Sequence, residues 1–84
     1  MTDKEILKKQ IIYRSTHRGT KELDLLLGNF VKKYINELKD KELNELENIL
    51  SIEDEILQKW YVEKKSNNPF LNTEISRLLI NFKL

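Results

Sequence analysis

The sequence predicts an all-α fold, a compact bundle of five short helices that forms a single domain over residues 1–84. Apolar residues recur every three or four positions along most of the chain, and no segment of reasonable length alternates with the period of a strand. The chain contains only two glycines and one proline, the residue types that interrupt helices. The composition, 35% charged and 39% apolar, is typical of a soluble, helix-rich domain. A chain of 84 residues is too short to divide into two cores.

The first helix is predicted over residues 4–17, where Leu7 and Ile11 lie four positions apart on its apolar side. Gly19 follows the last turn, and we expect it to end the helix in a left-handed conformation. His17 and Arg18 fall in that last turn, where positive charge suits the helix dipole.

The second helix is predicted to be the central core helix. Thr20 is its expected N-cap, and Glu22 and Asp24 lie in or near its first turn, where acidic side chains are favourable. Gly28 interrupts it at a cost of about 1 kcal/mol relative to alanine, which close packing would explain. The helical apolar repeat consists of Leu23, Leu26, Leu27, Phe30, Val31, Tyr34, Ile35 and Leu38.

Three further helices are predicted from cap residues and apolar repeats. Asp40 is expected to cap the third helix. Residues 51–54, Ser-Ile-Glu-Asp, resemble a capping box that opens a fourth helix carrying Trp60 into the core. A loop rich in Ser, Asn and Pro precedes the last helix, which starts at Asn72 or Thr73. The other residues expected on the apolar faces are Leu43, Leu46, Ile49, Leu50, Ile56, Leu57, Tyr61, Ile75, Leu78, Leu79 and Phe82.

Composition excludes several kinds of site. With no cysteine, the chain has no disulfide, thiol nucleophile or thiolate metal site, and a single histidine excludes a histidine-based zinc site. We therefore expect no metal. The longest apolar runs, 25–27 and 78–80, are far below the roughly 20 residues of a membrane span, so no direct membrane insertion is expected. The N-terminal residues show no signal or transit pattern, which favours a cytoplasmic, bacterial protein.

Charge is unevenly distributed although the net charge is only +1. Residues 1–21 carry six basic and two acidic side chains, whereas residues 37–55 carry two basic and eight acidic ones. Nucleic-acid binding needs a basic patch and a recognition element, and the acidic middle would repel a phosphate backbone. We expect no nucleic-acid partner. The alternative is a small regulatory or nucleic-acid-associated module that uses the basic N-terminal segment.

Polar residues concentrate where the first two helices meet, and this turn is the predicted functional site. A pair of carboxylates two positions apart on a helix points in directions about 200° apart, so Glu22 and Asp24 cannot converge on one reacting atom. A Ser15, His17 and Asp24 triad would lack both a nucleophile elbow and an oxyanion donor. We therefore expect a binding surface and not an enzyme. Its candidate residues are Arg14, His17, Arg18, Gly19, Glu22 and Asp24.

Residues 14–27 resemble the signature of the succinate dehydrogenase assembly factors that promote covalent flavinylation. The core of that signature is Arg-Gly-x-x-Glu, which is matched here by Arg18, Gly19 and Glu22. Farther along, the spacing of Asp54, Leu57 and Trp60 is similar to the family's Asp-x-x-Leu-x-x-Trp segment. Thr16 departs from the family pattern, since many relatives have an aromatic residue there, so that apolar contact is either missing or supplied by Tyr13.

The resemblance implies a small helical chaperone, without catalytic residues, that binds the flavoprotein subunit of succinate dehydrogenase. In some bacteria the client is also fumarate reductase. Such factors favour attachment of FAD to a histidine of the client, so the resemblance implies that FAD resides on the partner and is not stably bound by this chain. We expect a monomer. A second alternative within the same family is an antidote-like partner of a small membrane toxin protein.

The resemblance also implies roles for the candidate residues. Arg18, Gly19 and Glu22 are expected as primary contacts, with the other three in support: Arg14, His17 and Asp24. Gly19 has no side chain, so a partner backbone can approach it closely. Arg18 can offer forked donors to a partner carboxylate or carbonyl, and Glu22 can accept hydrogen bonds.

Overall fold

Five α-helices and one short 3₁₀ turn make up residues 2–83, the part of the chain that a computed structural model describes. No strand occurs within this range, so the predicted all-α fold is confirmed. The 3₁₀ turn spans Pro69–Leu71. The helices are α1 (Asp3–Thr16), α2 (Lys21–Tyr34), α3 (Asp40–Leu50), α4 (Asp54–Glu63) and α5 (Glu74–Ile80).

One apolar core is shared by all five helices. Helix α1 packs along α2 and α3, and α5 packs on α3. Trp60 is buried as predicted, with 4% of its surface exposed. Because every helix contributes to the same core, the turns between them are fixed by packing on both sides. The largest fully buried apolar side chains are Phe30, Ile11, Leu27, Leu43, Leu46, Ile49, Leu57, Ile75, Leu79 and Val31.

Two residues expected to face the core do not. Ile56 and Leu78 are 45% and 42% exposed, whereas the residues that follow them, Leu57 and Leu79, are buried. Consecutive helical residues are about 100° apart around the axis. In the short helices α4 and α5, the buried face is therefore narrower than the set of apolar residues in their sequences indicates.

The connection after α2 also differs from its prediction. Helix α2 ends at Tyr34, so Ile35 and Leu38 reach the core from the following turn. In that turn, the Glu37 amide donates to the Tyr34 carbonyl oxygen at 2.8 Å.

Gly28, inside α2, has no steric reason to be glycine, since a Cβ there would lie 3.6 Å from Thr16 Cγ2, an ordinary contact.

Thr20 caps α2 as predicted, and Thr73, one of the two starts predicted for the last helix, caps α5. Their side chains accept hydrogen bonds from the amides of Leu23 and Ser76. These caps satisfy backbone donors in the first helical turn. They fix the starting points of two helices from local sequence alone.

The cap predicted at Asp40 is wrong. Lys39 is the N-cap of α3, because Glu42 reaches back and its Oε1 accepts from the Lys39 amide at 2.9 Å. Asp40 is instead the first helical residue and pairs with Lys4 at 3.4 Å on the surface.

The capping box predicted at residues 51–54 is also wrong. Ser51 ends α3, and its hydroxyl donates to the Asn48 carbonyl oxygen at 2.6 Å. The N-cap of α4 is Glu53. Asp54 does not turn back to Ser51, because its carboxylate is engaged by the turn between α1 and α2.

None of the helices within residues 2–83 has the length and apolar content to cross a membrane.

Candidate functional site

Residues 17–20 connect α1 to α2, and we call this connection the corner. The predicted left-handed glycine is wrong, since neither glycine in residues 2–83 has a positive φ. Side chains satisfy the last carbonyls of α1 instead. Ser15 Oγ donates to the Ile12 carbonyl oxygen at 2.8 Å, and His17 Nδ1 lies 2.8 Å from the Tyr13 carbonyl oxygen. With these acceptors satisfied, α1 ends without a glycine motif.

The Arg18 side chain points into the protein and fastens the corner to the junction of α3 and α4. Its Nη1 donates to the Leu50 carbonyl oxygen at 2.6 Å, and its Nη2 donates to the Ile52 carbonyl oxygen at 2.8 Å. Its Nε and Nη2 lie 2.8 and 2.7 Å from Asp54 Oδ1. Only 9% of the side chain is exposed. All three guanidinium nitrogens therefore donate inside the chain.

This arrangement is electrostatically favourable at both helix ends. The Arg18 charge lies at the C-terminus of α3, where carbonyl oxygens lack helical partners, and the Asp54 charge lies in the first turn of α4. A desolvated ion pair is stable only when its remaining donors and acceptors are satisfied. Here both carbonyls and both carboxylate oxygens are used.

The second Asp54 oxygen holds Gly19. The Gly19 amide donates to Asp54 Oδ2 at 2.6 Å, and a Cβ on Gly19 would lie 2.8 Å from the same oxygen. Since Arg18 holds the other oxygen, the carboxylate cannot move away without breaking the ion pair. Glycine is therefore required here by contact with Asp54 of the same chain.

Asp24 completes the internal network. Its Oδ1 accepts from the Arg18 amide at 2.6 Å, which ties the corner to the first turn of α2. We call the four residues of this network the clamp: Arg18, Gly19, Asp24 and Asp54. Three of the six predicted site residues belong to it, and the clamp orients them before any partner is present.

The other three predicted residues, Arg14, His17 and Glu22, are exposed around the corner. The His17 ring stacks on Tyr13 with centroids 3.9 Å apart. Because a carbonyl oxygen only accepts, the contact to the Tyr13 carbonyl places the hydrogen of neutral His17 on Nδ1. The carboxylate of Glu22 and the guanidinium of Arg14 form no hydrogen bond or ion pair with any residue in 2–83.

Position 16 is explained by local contacts. The Thr16 hydroxyl lies 3.0 and 3.2 Å from the carbonyl oxygens of Ile12 and Tyr13, and these two acceptors share its single hydrogen. Tyr13 is 62% exposed, so it is the aromatic surface next to the corner. The two possible catalytic arrangements find no support, because Asp24 is turned inward, away from the exposed Glu22, and the Ser15 hydroxyl is fully buried.

Sequence reasoning missed Asp54 as a site residue. Its position in the Asp-x-x-Leu-x-x-Trp segment was the available signal, but that pattern does not say what Asp54 contacts. The carbonyl oxygens of Leu50 and Ile52 carry no sequence signal at all, because any residue supplies them.

The fold and this site define a small all-α protein whose exposed polar residues lie around a turn that internal hydrogen bonds hold in place. A family model described as "Flavinator of succinate dehydrogenase" matches residues 9–83. The chain belongs to this family, and the resemblance seen in the corner motif is confirmed.

Individual relatives agree with the family match. The chain is 32% identical over 78 residues to succinate dehydrogenase assembly factor 2, mitochondrial, of Arabidopsis thaliana, covering 86% of this chain and 42% of that protein. It is 38% identical over 65 residues to the protein of the same name from Scheffersomyces stipitis, covering 77% and 44%. It is 38% identical over 53 residues to FAD assembly factor SdhE of Acetobacter pasteurianus, covering 63% and 49%.

The chain thus spans less than half the length of each of these three relatives. Two of their names place them in mitochondria, and the third names no compartment. The predicted cytoplasmic, bacterial location stays a prediction. No solved structure matches the chain at a significant level.

Proposed function

We propose that this chain is an assembly factor that binds the flavoprotein subunit of succinate dehydrogenase at the corner and promotes covalent attachment of FAD to it. In this proposal the chain acts as a monomeric, non-catalytic helical domain in the cytoplasm, and FAD stays on the client. The proposal extends to fumarate reductase as a second client by the same chemistry. Support comes from the family membership and from the names of the relatives.

The observation that carries the proposal is the contrast between Glu22 and its neighbours. Arg18 and Asp24 are engaged internally, whereas Glu22 is exposed and its carboxylate is unpaired within residues 2–83. An unpaired carboxylate beside a rigid turn is ready to accept hydrogen bonds from a partner without first breaking internal ones. We therefore assign direct contacts to Glu22 and to the exposed backbone of Gly19.

The remaining predicted residues divide into two roles. Arg14, at the end of α1, and His17, the first residue of the corner, are exposed and are proposed as supporting contacts. Arg18 and Asp24 are proposed to act through the shape of the corner, because their polar groups are already bonded within the chain. This changes the expected role of Arg18 from a donor toward the partner to a positioning residue.

The nucleic-acid alternative gains no support from the geometry. Of the basic residues near the N-terminus, Arg18 is internal, Lys4 lies beside Asp40, and the Lys8 amine donates to Asn36 Oδ1 at 3.4 Å. These contacts leave fewer lysines and arginines for a phosphate backbone than the sequence indicates.

Binding to the purified flavoprotein subunit tests the proposal. Glu22→Gln removes the charge and keeps the shape, and we expect it to raise the Kd by about tenfold or more, as for the loss of a charge-assisted hydrogen bond. Glu37→Gln is the matched control, because Glu37 is also exposed but lies in the turn that follows α2, at the opposite end of that helix from Glu22. Calorimetric titration measures both. If the Glu22→Gln variant and the wild type bind with equal affinity, the assignment of the corner as the contact surface is contradicted.

A further inference from the structure

A pocket of about 360 Å³ lies next to Glu22, between α2 and α4. Its apolar walls include Leu25 and Val62, which are 57% and 77% exposed although they are large apolar side chains. These residues are far apart in sequence and are brought together by the fold. Single exposed apolar residues are normal, but contiguous ones that line a concave site indicate an interaction surface.

The pocket is not needed by the fold itself. Helix α2 already buries Leu23 and Leu26 on its inward side, with 3% and 6% of their surfaces exposed, and Leu25 lies outside that stripe. Leu23 and Leu26 also line the pocket, so its floor is part of the packed core. The Tyr61 hydroxyl donates to the Phe82 carbonyl oxygen at 2.9 Å, which fixes another wall. The pocket is therefore preformed.

Acidic side chains predominate at and beside the pocket. Glu22 is the one charged residue that lines it, on the α2 side. The adjoining exposed surface of α4, which meets the pocket at Gln58 and Val62, carries Glu55 and Glu63 with Lys59. The three carboxylates form no ion pair with any residue in 2–83. A partner that places a cationic side chain at this rim gains favourable electrostatic interactions, and an acidic one is repelled.

We propose that this pocket receives one large apolar side chain from a segment of the flavoprotein subunit in which lysine or arginine residues flank that side chain. The inference rests on the proposed function, and Glu22 joins the two surfaces because it lies beside the corner, in the first turn of α2, and also lines the pocket. The apolar side chain anchors the segment by burial, and the flanking cations pair with Glu22 and the α4 carboxylates. An anchor in a preformed pocket is the arrangement in which a few residues carry most of the binding energy.

Leu25→Gln tests the pocket, with Leu78→Gln as its matched control. Both leucines are exposed on helices, at 57% and 42%, but Leu78 is on α5 and does not line the pocket. We expect Leu25→Gln to raise the Kd for the flavoprotein subunit by about tenfold, and Leu78→Gln to leave it within about twofold. Val62→Thr, which is nearly the same shape, is expected to weaken binding as well. Thermal unfolding checks that all three variants stay folded.

The outcomes separate this inference from the proposed function. If Glu22→Gln weakens binding but Leu25→Gln and Val62→Thr do not, the pocket is not an anchor site and the corner proposal stands. If the wild type does not bind the subunit, both are overturned. The other candidate occupant of the pocket is a second copy of this chain, and sedimentation velocity tests for it. If the wild type is a dimer and the Leu25→Gln variant is a monomer, the pocket binds a second copy and the inference is overturned.

Discussion

The carboxylate of Asp54 holds the backbone of Gly19, with 2.6 Å between the Gly19 nitrogen and Asp54 Oδ2. The other oxygen of the same carboxylate binds the Arg18 guanidinium. One side chain at the start of α4 therefore fixes two consecutive residues of the corner. The Arg-Gly pair that identifies the family signature is, in this chain, first a determinant of the local fold. Under the proposed function, a partner would meet a corner whose shape is already set by these internal bonds.

Gly19→Ala is expected to destabilise the protein by about 1–3 kcal/mol, the usual cost of overpacking. The added Cβ would lie 2.8 Å from an oxygen that Arg18 holds in place. Urea unfolding measures the change. A variant as stable as the wild type would show that Asp54 moves aside freely and that glycine is not required by this contact.

Gly28→Ala is the contrasting substitution, and it is expected to stabilise the protein by about 0.5–1 kcal/mol, because alanine is the better helix former. Its Cβ would make only an ordinary contact, 3.6 Å from Thr16 Cγ2. The same urea experiment applies. A clear loss of stability would mean that α1 and α2 pack more tightly than this distance indicates.

Asp54→Asn is expected to destabilise the protein by about 3 kcal/mol, the lower end of the range for breaking a buried ion pair, since Asp54 is 24% exposed. The new amide group would also face an N–H donor from either Arg18 or Gly19. Asp40→Asn is the control, because its pair with Lys4 is exposed and worth at most about 1 kcal/mol. Equal unfolding midpoints for the two variants would contradict the clamp.

Arg18→Lys is expected to cost about 1–3 kcal/mol although it keeps the charge. A single ammonium cannot replace the forked donors that reach Asp54 and the carbonyl oxygens of Leu50 and Ile52 together. At least one buried acceptor is then left without a donor. Chemical denaturation again provides the measurement, and full stability in the lysine variant would show that charge alone is sufficient at this position.

The helices could be predicted from sequence because their determinants are local. The apolar repeat of α2 and the threonine caps of α2 and α5 depend on residues within a few positions of one another. The caps predicted at Asp40 and Ser51 failed where another side chain competed: Glu42 reaches back to Lys39, and Asp54 is held by Arg18. A local motif is therefore reliable only when its side chains have no better partner elsewhere.

The sequence predicts a candidate site at the corner, and that site stays a prediction, but the sequence did not predict which of its residues bond within the chain. Arg18 looked like a donor toward a partner because it sits among polar residues in a turn. Its actual acceptors lie 32 to 36 positions away, and two of them are backbone carbonyls that no sequence pattern marks. The pocket beside Glu22 is not predicted by the sequence for the same reason, since Leu25 and Val62 come together only in the folded chain.

The amount of flavin covalently bound to the flavoprotein subunit tests the proposed function most directly. The flavoprotein subunit is produced alone, with this chain, and with its Glu22→Gln or Glu37→Gln variant, and each sample is denatured and examined for in-gel flavin fluorescence. Covalent flavin survives denaturation, so we expect a bright band with the wild type and Glu37→Gln, a weak band with Glu22→Gln, and little or none without the chain. A band of equal brightness in the absence of this chain would contradict its role in flavin attachment.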